Sequence, residues 1–155
     1  MPVDVAVPGR EPLRLRHLLL DVNGTLTLRG ALLPGVAERV RKLTGDLDVR
    51  LLTADTFGTL DTVRAELGGI PAERVTRGAD KAAVASRMGA PACAAIGNGA
   101  NDGPMLAAAG LGIAVLGPEG ASPPTLLAAD LVCGAITDAL DLLLDPRLLT
   151  ATLRP

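Results

Sequence analysis

Short, almost uninterrupted apolar runs recur along the chain: HLLL at 17–20, VRLL at 49–52, CAAI at 93–96, LGIAV at 111–115 and LVC at 131–133. Runs of this kind, without polar alternation, mark strands buried on both faces. Between them lie stretches whose apolar residues recur at helical spacing, such as VAERVRKL, KAAVASRM and AITDALDLLL. Strands alternating with helical units of about 10–15 residues require a parallel sheet joined by right-handed crossovers. The expected fold class is therefore α/β: a Rossmann-like three-layer sandwich around a central parallel sheet. The 155 residues suit one domain.

The ends and connections can be read more finely. VDVAV and LRLR alternate around Pro8-Gly9 and predict an N-terminal antiparallel hairpin over 1–16, its second strand running on into HLLLDV. TLTLRGALL predicts a small hairpin turning at Arg29-Gly30. Pro34 is placed to open a helix through VAERVRKL, and Asp55 or Thr56 to cap one that stops at Gly68-Gly69. A short strand is expected within 70–76, and Asp80 should cap KAAVASRM. The core is expected to span 17–145, with 146–155 as a C-terminal tail after Pro146.

Polar residues follow the apolar runs or open helices at four places: Asp21, Thr53, Lys81 and Asp102. Parallel strands all end at the same sheet edge, where α/β folds bind ligands, so the four can converge. A bland reading exists for each. Asn23-Gly24 is also a strong hairpin signal, which would make Asp21 a turn-flanking acid. Thr53 and Asp102 could be helix caps, and Lys81 a surface residue. Lys81 nevertheless stands out, since the chain has thirteen Arg and only two Lys. A compact ammonium suits a site among phosphate oxygens. The set fits phosphoryl transfer: a carboxylate can attack phosphorus, a hydroxyl and an ammonium can hold the other oxygens, and oxygen donors suit Mg²⁺.

Four motifs in order, DVNGTLT from Asp21, LLTAD around Thr53, Lys81 and GNGANDGPML from Gly97, resemble the haloacid dehalogenase superfamily over roughly residues 15–140. The wording is especially similar to the soluble relatives of the P-type ATPase catalytic domain; the lack of a long apolar run sets the chain apart from the pumps themselves. The resemblance implies an aspartyl-phosphate mechanism with Asp21 as nucleophile. It implies Mg²⁺ held by Asp21, Asp102 and the Asn23 carbonyl, with Asn98 as a further ligand or water contact. Thr53, Ala54, Lys81 and Gly24 would surround the phosphoryl group, and residues 25–33 would form a flap beside it.

Two positions depart from the resembled pattern. Asn23 stands where most phosphatases of the superfamily carry an acid/base Asp, and an amide cannot shuttle a proton at neutral pH. Losing a general acid/base typically removes about 10²–10⁴ in rate. Asn98 replaces another Asp and supplies less charge to a cation. Hence the resemblance implies a slow phosphatase or phosphotransferase, or alternatively a protein that keeps phosphate and metal contacts as a binding or regulatory subunit. Only 31 residues separate Asp21 from Thr53, and 27 separate Thr53 from Lys81. No cap domain fits either interval, so an open site is expected. It would take a phosphorylated small molecule or a macromolecule, or be covered by a second copy of the chain, as in the tetrameric capless relatives.

The remaining features exclude other classes. A net charge of −2 and a single aromatic residue of the Phe, Tyr and Trp type, Phe57, argue against nucleic acid and anionic membranes. Phe57 is expected to pack near the site or line its mouth. Cys93 and Cys133 stand alone, without a CxxC, and suit a reducing compartment. No secretory signal is visible, and the cytoplasm is the expected location. GNGAND imitates a dinucleotide fingerprint but lacks its third glycine. His17, the single histidine, is expected as a half-buried strand residue.

Overall fold

The computed structural model describes residues 2–54 and 58–155. Strand β1 (Val3–Val5) pairs antiparallel with β2 (Leu13–Leu15), Val3 opposite Leu15. Val3, Val5, Leu13 and Leu15 are buried while Asp4 and Arg14 are exposed, the pattern of a ribbon packed on one side. Its second strand does not run on as predicted. The chain breaks at Arg16, and β3 (His17–Asp21) enters a different sheet. Arg16 N–H donates to the Ala92 carbonyl and its own carbonyl accepts from Asp48 N–H. The physical reason lies in the side chains: Leu18, Leu19 and Leu20 need cover on both faces, which the one-sided ribbon cannot give.

After β3 the chain forms the predicted hairpin, β4 (Thr27–Leu28) against β5 (Ala31–Leu32). Arg29 and Gly30 both have positive φ, as a two-residue type I′ turn requires. Helix α1 (Val36–Leu43) starts behind Gly35, two residues past Pro34. Then come β6 (Asp48–Thr53), α2 (Leu60–Glu66) and β7 (Ala72–Arg74). The proposed caps Asp55 and Thr56, and Phe57, lie outside the described residues. Helix α3 (Gly78–Met88) begins two residues before Asp80, so Asp80 sits in its first turn and Arg77 takes the N-cap position. The remainder is β8 (Cys93–Gly97), α4 (Gly103–Ala108), β9 (Leu111–Val115), α5 (Pro123–Ala128), β10 (Leu131–Cys133) and α6 (Ile136–Leu144). Residues 147–153 of the expected tail form a helix, α7 (Arg147–Leu153), whose Leu149 joins the core beside the N-terminal ribbon.

The six central strands run in the order β10-β9-β8-β3-β6-β7, every pairing parallel. Side-chain alternation along them divides the core into two layers. Leu18, Leu20, Leu51 and Ile96 pack on one face with Val40 of α1 and Leu140 of α6. Leu19, Leu52 and Ala95 pack on the other with Val84 of α3 and Met105 of α4. The chain goes from β3 to β6 and β7 on one side, then returns to build β8, β9 and β10 on the other. This reversal opens a crevice beyond the carboxyl ends of β3 and β8. Neither the β3–β6 nor the β6–β8 connection holds a further domain among the described residues. No helix among them is long and apolar enough to cross a membrane.

Candidate active site

Asp21 is the last residue of β3, and Thr53, the last of β6, lies one register step beyond its pairing with Leu52. Asp102 closes the turn after β8, and Lys81 reaches in from the first turns of α3. The structure brings three of these together. Lys81 Nζ donates to Asp21 Oδ1 at 2.9 Å and to Asp102 Oδ1 at 2.7 Å. Lys81 and Asp102 are fully buried, and the Asp21 side chain is 10% exposed. The surface reading of Lys81 is thereby excluded.

The backbone fixes Asp102 in place. Its Oδ2 accepts the N–H groups of Asn98 and Gly99, each at 3.0 Å. Gly97 makes room for it, because three Asp102 atoms lie within 2.7 Å of where a Cβ on Gly97 would sit. Thr25, read from sequence only as the start of the flap, places its hydroxyl 2.8 Å from Asp21 Oδ2 and 3.1 Å from Asn98 Oδ1. The Asn98 amide donates to the Gly120 carbonyl at 3.0 Å, which turns its oxygen toward Thr25. Gly24 has φ +78°, and its N–H donates to the Thr27 carbonyl, so a turn does follow β3. That turn serves a loop after a parallel strand.

Charge is unbalanced here. One ammonium faces two buried carboxylates. Burial first, and the neighbouring Asp102 charge second, push the Asp21 pKa up to about 7 against the opposing pull of Lys81 and Thr25. Burial works against the Lys81 ammonium, yet the Asp21 and Asp102 carboxylates outweigh it and hold its pKa above the ordinary value. No group of three His, Cys, Asp or Glu among the described residues could hold a metal by itself. The oxygens of Asp21, Asp102 and Asn98 nonetheless form a hard donor set with a deficit of positive charge. That fits a cation of the Mg²⁺ type, which keeps several waters.

Beside this buried cluster lies an open cleft of about 410 Å³, lined by Asn23, Gly24, Thr27, Arg29, Gly30, Thr59 and Glu119. Thr53 is buried, whereas Ala54 and Asn23 are exposed. Glu119, on the β9–α5 loop, had no signal in the sequence beyond a turn-like LGPEG. His17 is half-buried at the opposite, amino end of β3, far along the strand from Asp21. Both thiols are buried and pushed up to about 11 by that burial, as inert fillers.

No family model matches the chain. An uncharacterized protein of Methanocaldococcus jannaschii is 55% identical over 60 residues, 39% of this chain and 64% of that one. The probable cation-transporting ATPase G of Mycobacterium tuberculosis is 38% identical over 94 residues, 59% of this chain. The match takes in only 12% of that ATPase. Among solved structures, a cobalt-bound deoxy-D-mannose-octulosonate 8-phosphate phosphatase of Haemophilus influenzae superposes with a TM-score of 0.72 at 19% identity, covering 91% of this chain and 94% of that one. The corresponding phosphatase of Moraxella catarrhalis, solved with magnesium, phosphate and its sugar acid, gives 0.65 at 20% identity, covering 88% and 90%. The fold is that of the haloacid dehalogenase superfamily.

Proposed function

We propose that the chain is a Mg²⁺-dependent phosphohydrolase or phosphotransferase that carries the phosphoryl group on Asp21. The observation that carries this reading is the Lys81 ammonium held between Asp21 and Asp102 at the carboxyl edge of the sheet. Buried ion clusters are costly, and their concentration at a strand-end crevice points to chemistry. The metal-bearing solved phosphatases of the same fold support a divalent cation as cofactor.

In this reading an Asp21 oxygen attacks phosphorus and the leaving oxygen departs toward the open cleft. Lys81 neutralises the charge on the transferring group, and the Thr53 hydroxyl with the backbone around Ala54 and Gly24 holds its oxygens. Asp102 positions Lys81 and, with Asp21, the Asn23 carbonyl and Asn98, would hold the Mg²⁺. Bound there, the cation would offset the surplus negative charge and favour the ionised, nucleophilic form of Asp21. Asn23 slows the chemistry unless another group moves the proton. Among the described residues no cap covers the cleft, so in this reading a phosphorylated small molecule enters directly, and closure falls to the substrate or to a second copy of the chain. The buried thiols suit the cytoplasm.

The test is hydrolysis of p-nitrophenyl phosphate with and without Mg²⁺, in the native chain and in Asp21→Asn. The reading expects Mg²⁺-dependent turnover that vanishes with Asp21. Equal rates in the two proteins would remove it. Stabilisation by phosphate and Mg²⁺ without any turnover would instead favour the binding-protein reading, which the amides at Asn23 and Asn98 support.

A further inference from the structure

We propose that Glu119 is the proton-transfer group of this site, acting from the β9–α5 loop in place of the residue at position 23. The inference rests on the phosphotransfer reading above. Asn23 and Glu119 line the same cleft, and Glu119 is its single carboxylate among the described residues. The Glu119 carboxylate lies directly over Gly24: its Cδ is 3.0 Å from where a Cβ on Gly24 would sit, with an oxygen closer still. The Asn98 amide flanks the same point at 3.0 Å, and Asn98 is joined through Thr25 to Asp21. The carboxylate therefore stands over Gly24 in the cleft beside the buried cluster.

The loop is held in that place. Asn98 donates to the Gly120 carbonyl, Ser122 N–H donates to the Asn98 carbonyl at 2.9 Å, and a Cβ on Gly117 would lie 3.1 Å from the Gly24 carbonyl. Glu119 is exposed to water and makes no ion pair with any described residue. Arg29 faces the cleft from the hairpin without neutralising it.

The steps balance. In the first, Glu119 in its acid form gives its proton to the leaving oxygen as the P–O bond breaks and the P–Oδ bond to Asp21 forms. In the second, the Glu119 carboxylate takes a proton from water, the water oxygen bonds to phosphorus, and the P–Oδ electron pair returns to Asp21. Glu119 is then protonated for the next cycle, and inorganic phosphate leaves.

The test compares the full-length native chain, Glu119→Gln and Glu119→Gln with Asn23→Asp, on p-nitrophenyl phosphate and on β-glycerophosphate, with acid-quench capture of phosphorylated protein. The expected result is a kcat loss of about 10²-fold in Glu119→Gln, larger on the alkyl phosphate, whose leaving group needs the proton more. Phosphorylated protein should accumulate, and Asn23→Asp should restore turnover. A Glu119→Gln chain with native rates and a native phosphoenzyme lifetime would overturn the proposal while leaving the Asp21 reading intact. So would an equal loss on both substrates without accumulation. Absence of Asp21-dependent turnover in the native chain would overturn both.

Discussion

The two ends of the central sheet carry similar residues in opposite settings. At the amino end, His17 of β3 lies 3.3 Å from Asp48 of β6, and Arg50 reaches Asp48 at 3.4 Å. These side chains are 25–42% exposed. At the carboxyl end of the same strands, Asp21, Lys81 and Asp102 are almost wholly dry. Exposed pairs are worth about 0–1 kcal/mol, and need no justification beyond solubility. Buried ions each cost several kcal/mol to desolvate, a penalty that well-packed apolar residues would avoid. Stability alone would not select the carboxyl-end arrangement. The difference between the ends is what the proposed site accounts for.

The comparison breaks first if Asp21 proves dispensable. Asp21→Asn should lower turnover of p-nitrophenyl phosphate on the order of 10⁴-fold, as for loss of a covalent nucleophile elsewhere. The same variant should unfold at a higher temperature than the native chain at pH 8, because one of two crowded carboxylates is gone. Calorimetry checks this separation of function from stability. Next in size is Lys81→Met, which leaves two buried acids without their cation. It should cost about 3–5 kcal/mol of stability at pH 8, measured by urea unfolding. The loss should shrink toward pH 5, where Asp21 takes up a proton.

A third expectation concerns pH and metal together. The folded Asp21 pKa of about 7 lies above its ordinary 3.8. Between those values the folded chain binds a proton that the unfolded chain releases, so stability falls as pH rises from about 4 to 7. Mg²⁺ competes with that proton. At 100 times its dissociation constant it should add about 2.7 kcal/mol, and its effect on the unfolding midpoint should be larger at pH 8 than at pH 5; an equal shift at both would detach Asp21 from the cation. Smallest of all, Asp48→Asn at the amino end should change stability by less than about 1 kcal/mol and leave turnover untouched.

The strands of the central sheet were legible because LLL, VRLL and CAAI have no polar alternation, and the strand-end acids followed from them. The break at Arg16 was not, since LRLRHLLL is locally a continuous β pattern and only the need to cover Leu18–Leu20 on both faces splits it. Helix α7 was hidden behind Pro146, which ends one helix and stands at the N-cap of the next. In the site, order along the chain singled out Asp21, Lys81 and Asp102. Thr25 and Glu119 escaped notice because Thr25 meets Asn98 from 73 residues away and Glu119 folds over Gly24 from a distant loop, contacts with no local signature.

The most direct measurement of the central claim is mass mapping of the chain after acid quench from turnover with Mg²⁺ and p-nitrophenyl phosphate. The account predicts a phosphoryl group on the peptide containing Asp21, chased by excess unlabelled substrate and absent from Asp21→Asn. Steady turnover with no phosphoryl group at Asp21, or a label that persists in the variant, would contradict it.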